Sequence, residues 1–270
     1  MADISPFLQS IKLPIMPEVA HALILTLNDE DADVAAVRTV IARDPALTAT
    51  LLRMANSAIF GLSRSVDTLD SAISVVGMSQ IRARALSVCL ANVYKLPPSL
   101  NRLEFWRSSM VCAGYAKWLA GHSKLDEQQA WLTGVMLRLG ELTIAQRNPV
   151  MIDLIERRPC TPGERWSRER DLIGFDEGEI TAEIAHRWDF PDAVVQALKA
   201  SAQPMAAPVF SPLGAVLHLA GLLADQKDPA PQALLELPAP VVLALGLPLD
   251  QLCSRMPQAQ TFSDTSMLNA

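Results

Sequence analysis

The sequence predicts an all-α fold, on three observations. Half of the 270 residues are apolar, and they recur at helical spacing rather than in strand-like alternation. Aromatic residues are scarce, at 5%, so Leu, Ala, Val and Ile dominate the candidate core. Residues 131–145 are apolar on nearly every helical face, through Trp131, Leu132, Val135, Met136, Leu137, Leu139, Leu142 and Ile144. A helix apolar all round is buried on all sides, so this stretch predicts a central helix. Gly134 and Gly140 cost helix propensity there but let neighbouring helices approach. The two charges, Arg138 and Glu141, stand three apart on one face. At about 15 residues the stretch is too short to span a membrane.

The first elements read as short amphipathic helices. Residues 5–12 place Phe7, Leu8 and Ile11 inward, with Ser5 as N-cap and Pro6 at the first helical position. Pro14 and Pro17 interrupt, and Pro17 opens a helix to about residue 28 with Val19, Leu23, Ile24 and Leu27 on one stripe. The acidic run Asp29-Glu30-Asp31 is a loop, and Asp33 caps a helix carrying Val34, Val37, Val40 and Ile41. Asp44-Pro45 is a clear helix start, and Leu47, Leu51, Leu52 and Met54 follow it. That helix ends near Asn56-Ser57, and Gly61 closes the next turn. A helix over 69–76 stops at Gly77, and Ser79 caps another through Ile81, Leu86, Val88 and Leu90 to Val93. Leu96-Pro97-Pro98 ends this first part.

The second part holds helices at about 101–120, 127–146, 150–157, 163–172, 177–188, 191–201 and 212–226. Asp228-Pro229-Ala230-Pro231 and Leu237-Pro238-Ala239-Pro240 then punctuate short helical pieces as far as Met256. From 257 to 270 the chain is polar and unpatterned, which predicts a flexible tail. No repeat of fixed period occurs. The expected organisation is a two-lobed unit: a lobe over 1–96, a lobe over 97–226, a short-helix extension over 227–256, and the tail over 257–270.

Composition excludes several classes. A net charge of −6 argues against a dedicated nucleic-acid binder. Cys89, Cys112, Cys160 and Cys253 form no Cys-x-x-Cys pair, which points to free thiols in a reducing cytoplasm. The first residues carry no basic-then-apolar signal, and no window reaches about 18 uninterrupted apolar residues, so a cytoplasmic protein without a membrane span is expected. No P-loop, Gly-x-Gly-x-x-Gly, Gly-x-Ser-x-Gly or His-Glu-x-x-His occurs. His21, His122, His186 and His218 are scattered, which favours surface or hydrogen-bonded core roles; His186 and His218 lie where a pocket could form.

Several segments together resemble the HDOD domain, the non-catalytic relative of the HD phosphohydrolases. They are Leu13-Pro14-x-Met16-Pro17; Asp44-Pro45-Ala46-Leu47, with the run from Leu51 to Asn56-Ser57-Ala58; Ala72-Ile73-x-x-Val76-Gly77; and Phe105-Trp106. Gly134-Val135-Met136-Leu137-Arg138-Leu139-Gly140, Leu172-Ile173-Gly174-Phe175 and Trp188-x-Phe190-Pro191 complete the set. The resemblance spans about residues 10 to 225. It implies a helical bundle packed on a degenerate HD-like helical bundle.

The resemblance also marks departures from the catalytic HD pattern. Where an HD enzyme presents His-Asp on its central helix, this chain has Leu137-Arg138. The metal-binding histidine after the tryptophan falls at Ser108, and another, after the Gly-Phe pair, falls at Glu177. A histidine pair after Pro191 falls near Ser201, and the last metal-binding aspartate falls near Gly221. Leu and Gly offer no ligand atom, and Ser and Arg are poor ligands, which leaves Glu177. A two-metal phosphohydrolase needs several carboxylates and imidazoles converging. The implied protein has no catalysis, no cofactor and no metal.

Arg138 has two readings: a buried bridge to Glu177 that fills the vacated pocket, or a rim pair with Glu141 worth about 0.5 kcal/mol or less. Asp44, Asn56 and Ser57 cap the 45–55 helix, or present polar groups to a partner. Arg53, Arg64, Arg82 and Arg84 are solvated charges, or they converge as a basic surface for an anion such as a cyclic dinucleotide. Trp106 joins these as a candidate partner-binding residue. The implied function is a non-enzymatic bacterial signal-transduction module that binds a protein partner through helix faces, with cyclic-di-GMP signalling as the candidate pathway. The alternatives are a nucleotide or cyclic-dinucleotide sensor in the degenerate metal pocket, and a phosphohydrolase with metals in an altered site.

Overall fold

The computed structural model describes residues 4–9, 13–29, 32–57, 60, 65–96, 100–157, 159–226 and 228–268. Every regular element among them is helical, in agreement with the all-α expectation. The chain divides into two compact units, one of Met1–Leu13, Leu96–His186 and Asp192–Asp264, the other of Pro14–Lys95, Arg187–Pro191 and Thr265–Ala270. Helix α1 (Ser5–Gln9) belongs to the larger unit. The units are not the consecutive lobes expected, because the chain returns twice to the smaller one. Trp188 packs edge-on against Tyr94 at 6.0 Å, and Leu268 is buried there too.

The smaller unit contains α2 (Glu18–Leu25), α3 (Val34–Ala42), α4 (Pro45–Ala55), α5 (Leu69–Val76) and α6 (Met78–Val93). Leu23, Ile24, Val37, Ile41, Leu51, Ile81, Leu86 and Leu90 are fully buried and form its core. The helix starts follow local chemistry. Asp33 accepts from the Ala36 N–H at 2.7 Å, and Asp44 accepts from Ala46 and Leu47 at 3.0 Å each. The expected Ser79 cap is displaced. Gly77, at φ +95°, turns the chain within one residue of α5 and is itself the N-cap of α6. Ile11, Ala58, Gly61, Arg64, Pro97, Pro98 and the Ser5 side chain lie outside the described set.

In the larger unit, α7 (Arg102–His122) starts at Asn101, whose side chain accepts from the Glu104 N–H. It packs along α8 (Glu127–Met136) so closely that a Cβ on Gly134 would lie 2.7 Å from the Ala113 Cα. Around this pair stand α9 (Leu139–Arg147), α10 (Pro149–Ile155), α11 (Glu164–Ile173), α12 (Glu177–Arg187), α13 (Asp192–Ala200) and α14 (Pro212–Ala224). Two short helices follow, α15 (Ala239–Ala244) and α16 (Leu249–Arg255). The flexible tail expected after 256 is built in instead. A 3₁₀ turn at Ala259–Phe262 lies on α7, with the Phe262 ring over Gly114 and 5.2 Å from the Tyr115 ring. Among the described residues no single helix is long and apolar enough to cross a membrane.

The single helix expected over 127–146 is broken at Leu137 and Arg138. A side chain from α12 enters the ladder there. The Gly140 N–H donates to Thr181 Oγ1 at 2.7 Å, and that hydroxyl donates to the Leu137 carbonyl at 3.1 Å. Gly140 is required as well, since a Cβ there would sit 2.2 Å from the Glu177 carbonyl oxygen. Thr181→Val keeps the shape but strands two buried backbone groups. It should destabilise the protein by about 1–3 kcal/mol in urea unfolding, and a change below about 0.5 kcal/mol would show that the hydroxyl does not hold the break.

Candidate functional site

The helix break presents Arg138 to three neighbouring helices. Its Nε and Nη2 donate to one Glu141 oxygen at 2.9 and 2.5 Å. Nη2 also reaches Glu156 Oε1 at 2.9 Å, and Nη1 donates to Ser108 Oγ on α7 at 2.8 Å. The Phe105 ring lies 5.7 Å from the guanidinium carbon. A second arginine, Arg165 on α11, donates to Glu177 Oε1 at 2.7 Å and lies 3.8 Å from Glu156 and 3.6 Å from Asp225. The same Glu177 oxygen accepts from the Trp166 indole at 2.9 Å. Glu169 accepts from the Glu177 backbone N–H at 2.7 Å. Glu141, Glu169 and Glu177 are completely buried.

Neither reading of Arg138 describes this centre fully. Its approach to Glu177 Oε2 is 4.0 Å, outside hydrogen-bond reach, while Arg165 holds the other oxygen, Oε1. The pair with Glu141 exists but is buried rather than on a rim. The sequence-expected positions Ser108, Leu137, Arg138, Glu177 and Gly221 are brought to one region. A Cβ on Gly221 would lie 2.8 Å from the Trp166 ring and 3.7 Å from Leu137 Cδ2. Ser201 stands behind Gly178, with its carbonyl 2.8 Å from His218 Nδ1.

Sequence reasoning missed Arg165, Trp166, Glu169, Glu156 and Asp225. One signal was available: a tryptophan inside the highly charged run Glu164-Arg165-Trp166-Ser167-Arg168-Glu169-Arg170-Asp171.

The other candidates do not join this centre. Asn56 donates to the Leu52 and Val66 carbonyls and accepts from the Val66 N–H, so its amide closes α4 and pins the following loop. Asp44 is used as a cap. Ser57 donates its backbone N–H to the Met54 carbonyl, and its hydroxyl is buried without a hydrogen-bond partner. Arg82 donates to the Thr26 carbonyl at 2.7 Å, Arg84 is half-buried, and Arg53 is exposed in the last turn of α4. Trp106 is fully buried against Phe105, so no partner reaches it. His186 is exposed, whereas His218 stacks on Trp166 at 5.2 Å.

The residues do not fit a two-metal centre. Two guanidiniums are already the counter-charges of Glu141, Glu156, Glu177 and Asp225, and a dication beside them would meet both. The Trp166 ring occupies the space at Gly221, and His218 turns its Nδ1 toward a carbonyl. Among the described residues no group of three or more His, Cys, Asp or Glu side chains could hold a metal ion.

Carboxylates outnumber arginines in this buried centre, and burial dominates their titration. It pushes Glu141 up to about 7 against the pull of Arg138. Glu169, buried and facing Glu177, is held well above its ordinary value, and Glu177 is raised although Arg165 and Arg138 oppose it. Asp176, largely buried beside Glu179, rises to about 6.

A family model described as HDOD domain matches residues 13–204. A "putative phosphohydrolase" from Shewanella amazonensis SB2B has a similar structure, with a TM-score of 0.77, 26% identity and 95% of each chain covered. A "putative signal transduction protein" from Marinobacter aquaeolei VT8 matches with a TM-score of 0.77 and 22% identity, over 98% of this chain and 61% of that one. An uncharacterized protein from Treponema pallidum (strain Nichols) is 23% identical over 197 residues, 69% of this chain and 37% of that protein. The chain thus spans well under half the length of that relative.

Two outcomes are expected from the ion-pair centre. Arg165→Met should cost about 3–5 kcal/mol in urea unfolding because it leaves Glu177 buried without its close partner, and adding Glu177→Leu should restore much of that. The buried acids bind protons more tightly folded than unfolded, so their stabilisation is complete below about 4.5 and is lost as pH rises through about 7 for Glu141. His218, lowered by burial, works in the opposite sense but is a single group. The melting temperature should therefore fall between pH 5 and 7.5, and Glu141→Gln should flatten that slope; a melting temperature rising over this range would contradict it.

Proposed function

The chain belongs to the HDOD domain family, and from that premise we propose that it is a non-enzymatic regulatory module of bacterial signal transduction that acts by contacting a partner protein. The observation that supports this reading is the internally paired centre. Arg138 donates to Glu141, Glu156 and Ser108, Arg165 donates to Glu177, and Trp166 closes the space beside Gly221. Such a centre commits its arginines to internal pairs rather than to a bound phosphate, which supports a regulatory reading over a catalytic one. Sensing of a nucleotide inside the same pocket is disfavoured, because its phosphates would meet an excess of carboxylates.

Contact then falls to helix faces. On α10, Val150 and Leu154 are exposed, and Leu154 shares a shallow depression with Leu172, Arg157 and Arg168. Glu156, one residue beyond α10, bridges both arginines, so pressure on this face bears directly on the buried centre. Cyclic-di-GMP signalling is the pathway class to examine first.

The test has two arms. With manganese or magnesium and bis(p-nitrophenyl) phosphate or cyclic di-GMP, turnover should not exceed a protein-free blank; turnover lost in Glu177→Gln would overturn the reading. A partner found by cross-linking in the host should bind the purified chain with a Kd on the order of 1 μM, and Leu154→Asp should weaken it about tenfold.

A further inference from the structure

Beside the ion-pair centre, the larger unit carries an open cleft of about 590 Å³. Gly163, Trp166, His218, Leu222, Glu236 and Pro238 are among its walls. The volume lies within the range, roughly 300–1,000 Å³, of sites that take small organic molecules.

The polar atoms of this cleft divide into committed and uncommitted ones. Glu164 is held by the Thr161 N–H and hydroxyl and by Arg168. Arg170 is held by Asp176, to which it donates twice. Glu236 is exposed and makes no ion pair among the described residues. His218 is the informative group. Its Nδ1 lies 2.8 Å from the Ser201 carbonyl oxygen, and a carbonyl only accepts, so Nδ1 carries the hydrogen. Nε2 then keeps its lone pair. Burial favours the neutral ring, and the stack on Trp166 at 5.2 Å and 29° holds its plane. Nε2 has no hydrogen-bond partner among the described residues and is not sealed from solvent. The uncommitted groups thus include a neutral ring acceptor and an anionic acceptor, beside the neutral side chains of Ser167, Gln203 and Gln226 and with aromatic and aliphatic walls.

We propose that this cleft binds a small organic cation, an amine or amidine of up to about 20 non-hydrogen atoms, which donates an N–H to His218 Nε2 and lies against the Glu236 carboxylate. Among the described residues that line the cleft an anionic ligand finds no free cation, since Arg170 is paired with Asp176. Trp166 links the cleft to the ion-pair centre, because its ring lines the cleft while its N–H holds Glu177. The proposal goes beyond the partner-binding reading and does not depend on it.

Calorimetric titration of the full chain with benzamidine and agmatine tests it, with AMP and cyclic di-GMP as anionic counterparts. Saturable one-to-one binding of an amine or amidine is expected, with a Kd of about 1 mM or tighter, together with a shift of the Trp166 indole N–H resonance. Glu236→Gln, on the surface, should weaken it at least about threefold; His218→Phe, which keeps a ring on Trp166 but removes the acceptor, about tenfold. No saturable binding of either cation, an affinity unchanged in Glu236→Gln, or tighter binding of AMP or cyclic di-GMP would each overturn the proposal.

Discussion

The larger unit is organised by the need to keep buried charge compensated. An ion taken out of water costs several kcal/mol unless paired and hydrogen-bonded. This unit buries Arg165, Glu141, Glu169 and Glu177 and most of Arg138. Several helices around the centre supply its partners, α11 three of them. Ser108 comes from α7, Glu141 from α9, Arg165 from α11 and Glu177 from α12. Losing any of these helices would strand a charge on another. Their arrangement is therefore tied to electrostatics as well as to apolar packing.

The helix break belongs to the same constraint. A continuous helix through Leu137 and Arg138 would need the Gly140 N–H for its own ladder, and α12 would then lose the anchor that sets Glu177 beside Arg165. Glycine at 140 admits the backbone of α12, and the Thr181 hydroxyl repairs the ladder it interrupts. One close approach thus connects the bend of the central element to the pairing of the buried acids.

What could be read from sequence was chemistry confined to a few neighbouring residues. The Asp44-Pro45 start, the Asn101 start and the stop at Gly77 depend on side chains within four positions of the backbone they satisfy. The break at Leu137 was invisible because its cause lies more than 40 positions away, at Thr181. Family resemblance pointed to Ser108, Arg138, Glu177 and Gly221, which do converge. It could not show that Arg165, rather than Arg138, holds Glu177, since that choice is made by the packing of α11. The final residues read as polar and patternless, yet single apolar anchors, Phe262 and Leu268, suffice to dock them.

That docking has a consequence for biosynthesis. Phe262 covers α7 of the larger unit, and Leu268 is buried in the smaller one. A ribosome that has made residues 1–250 has therefore delivered every helix of the smaller unit without the residue that seals it. Each unit's packing is thus completed by residues far along the chain from the helices they cover, a long-range closure that slows folding.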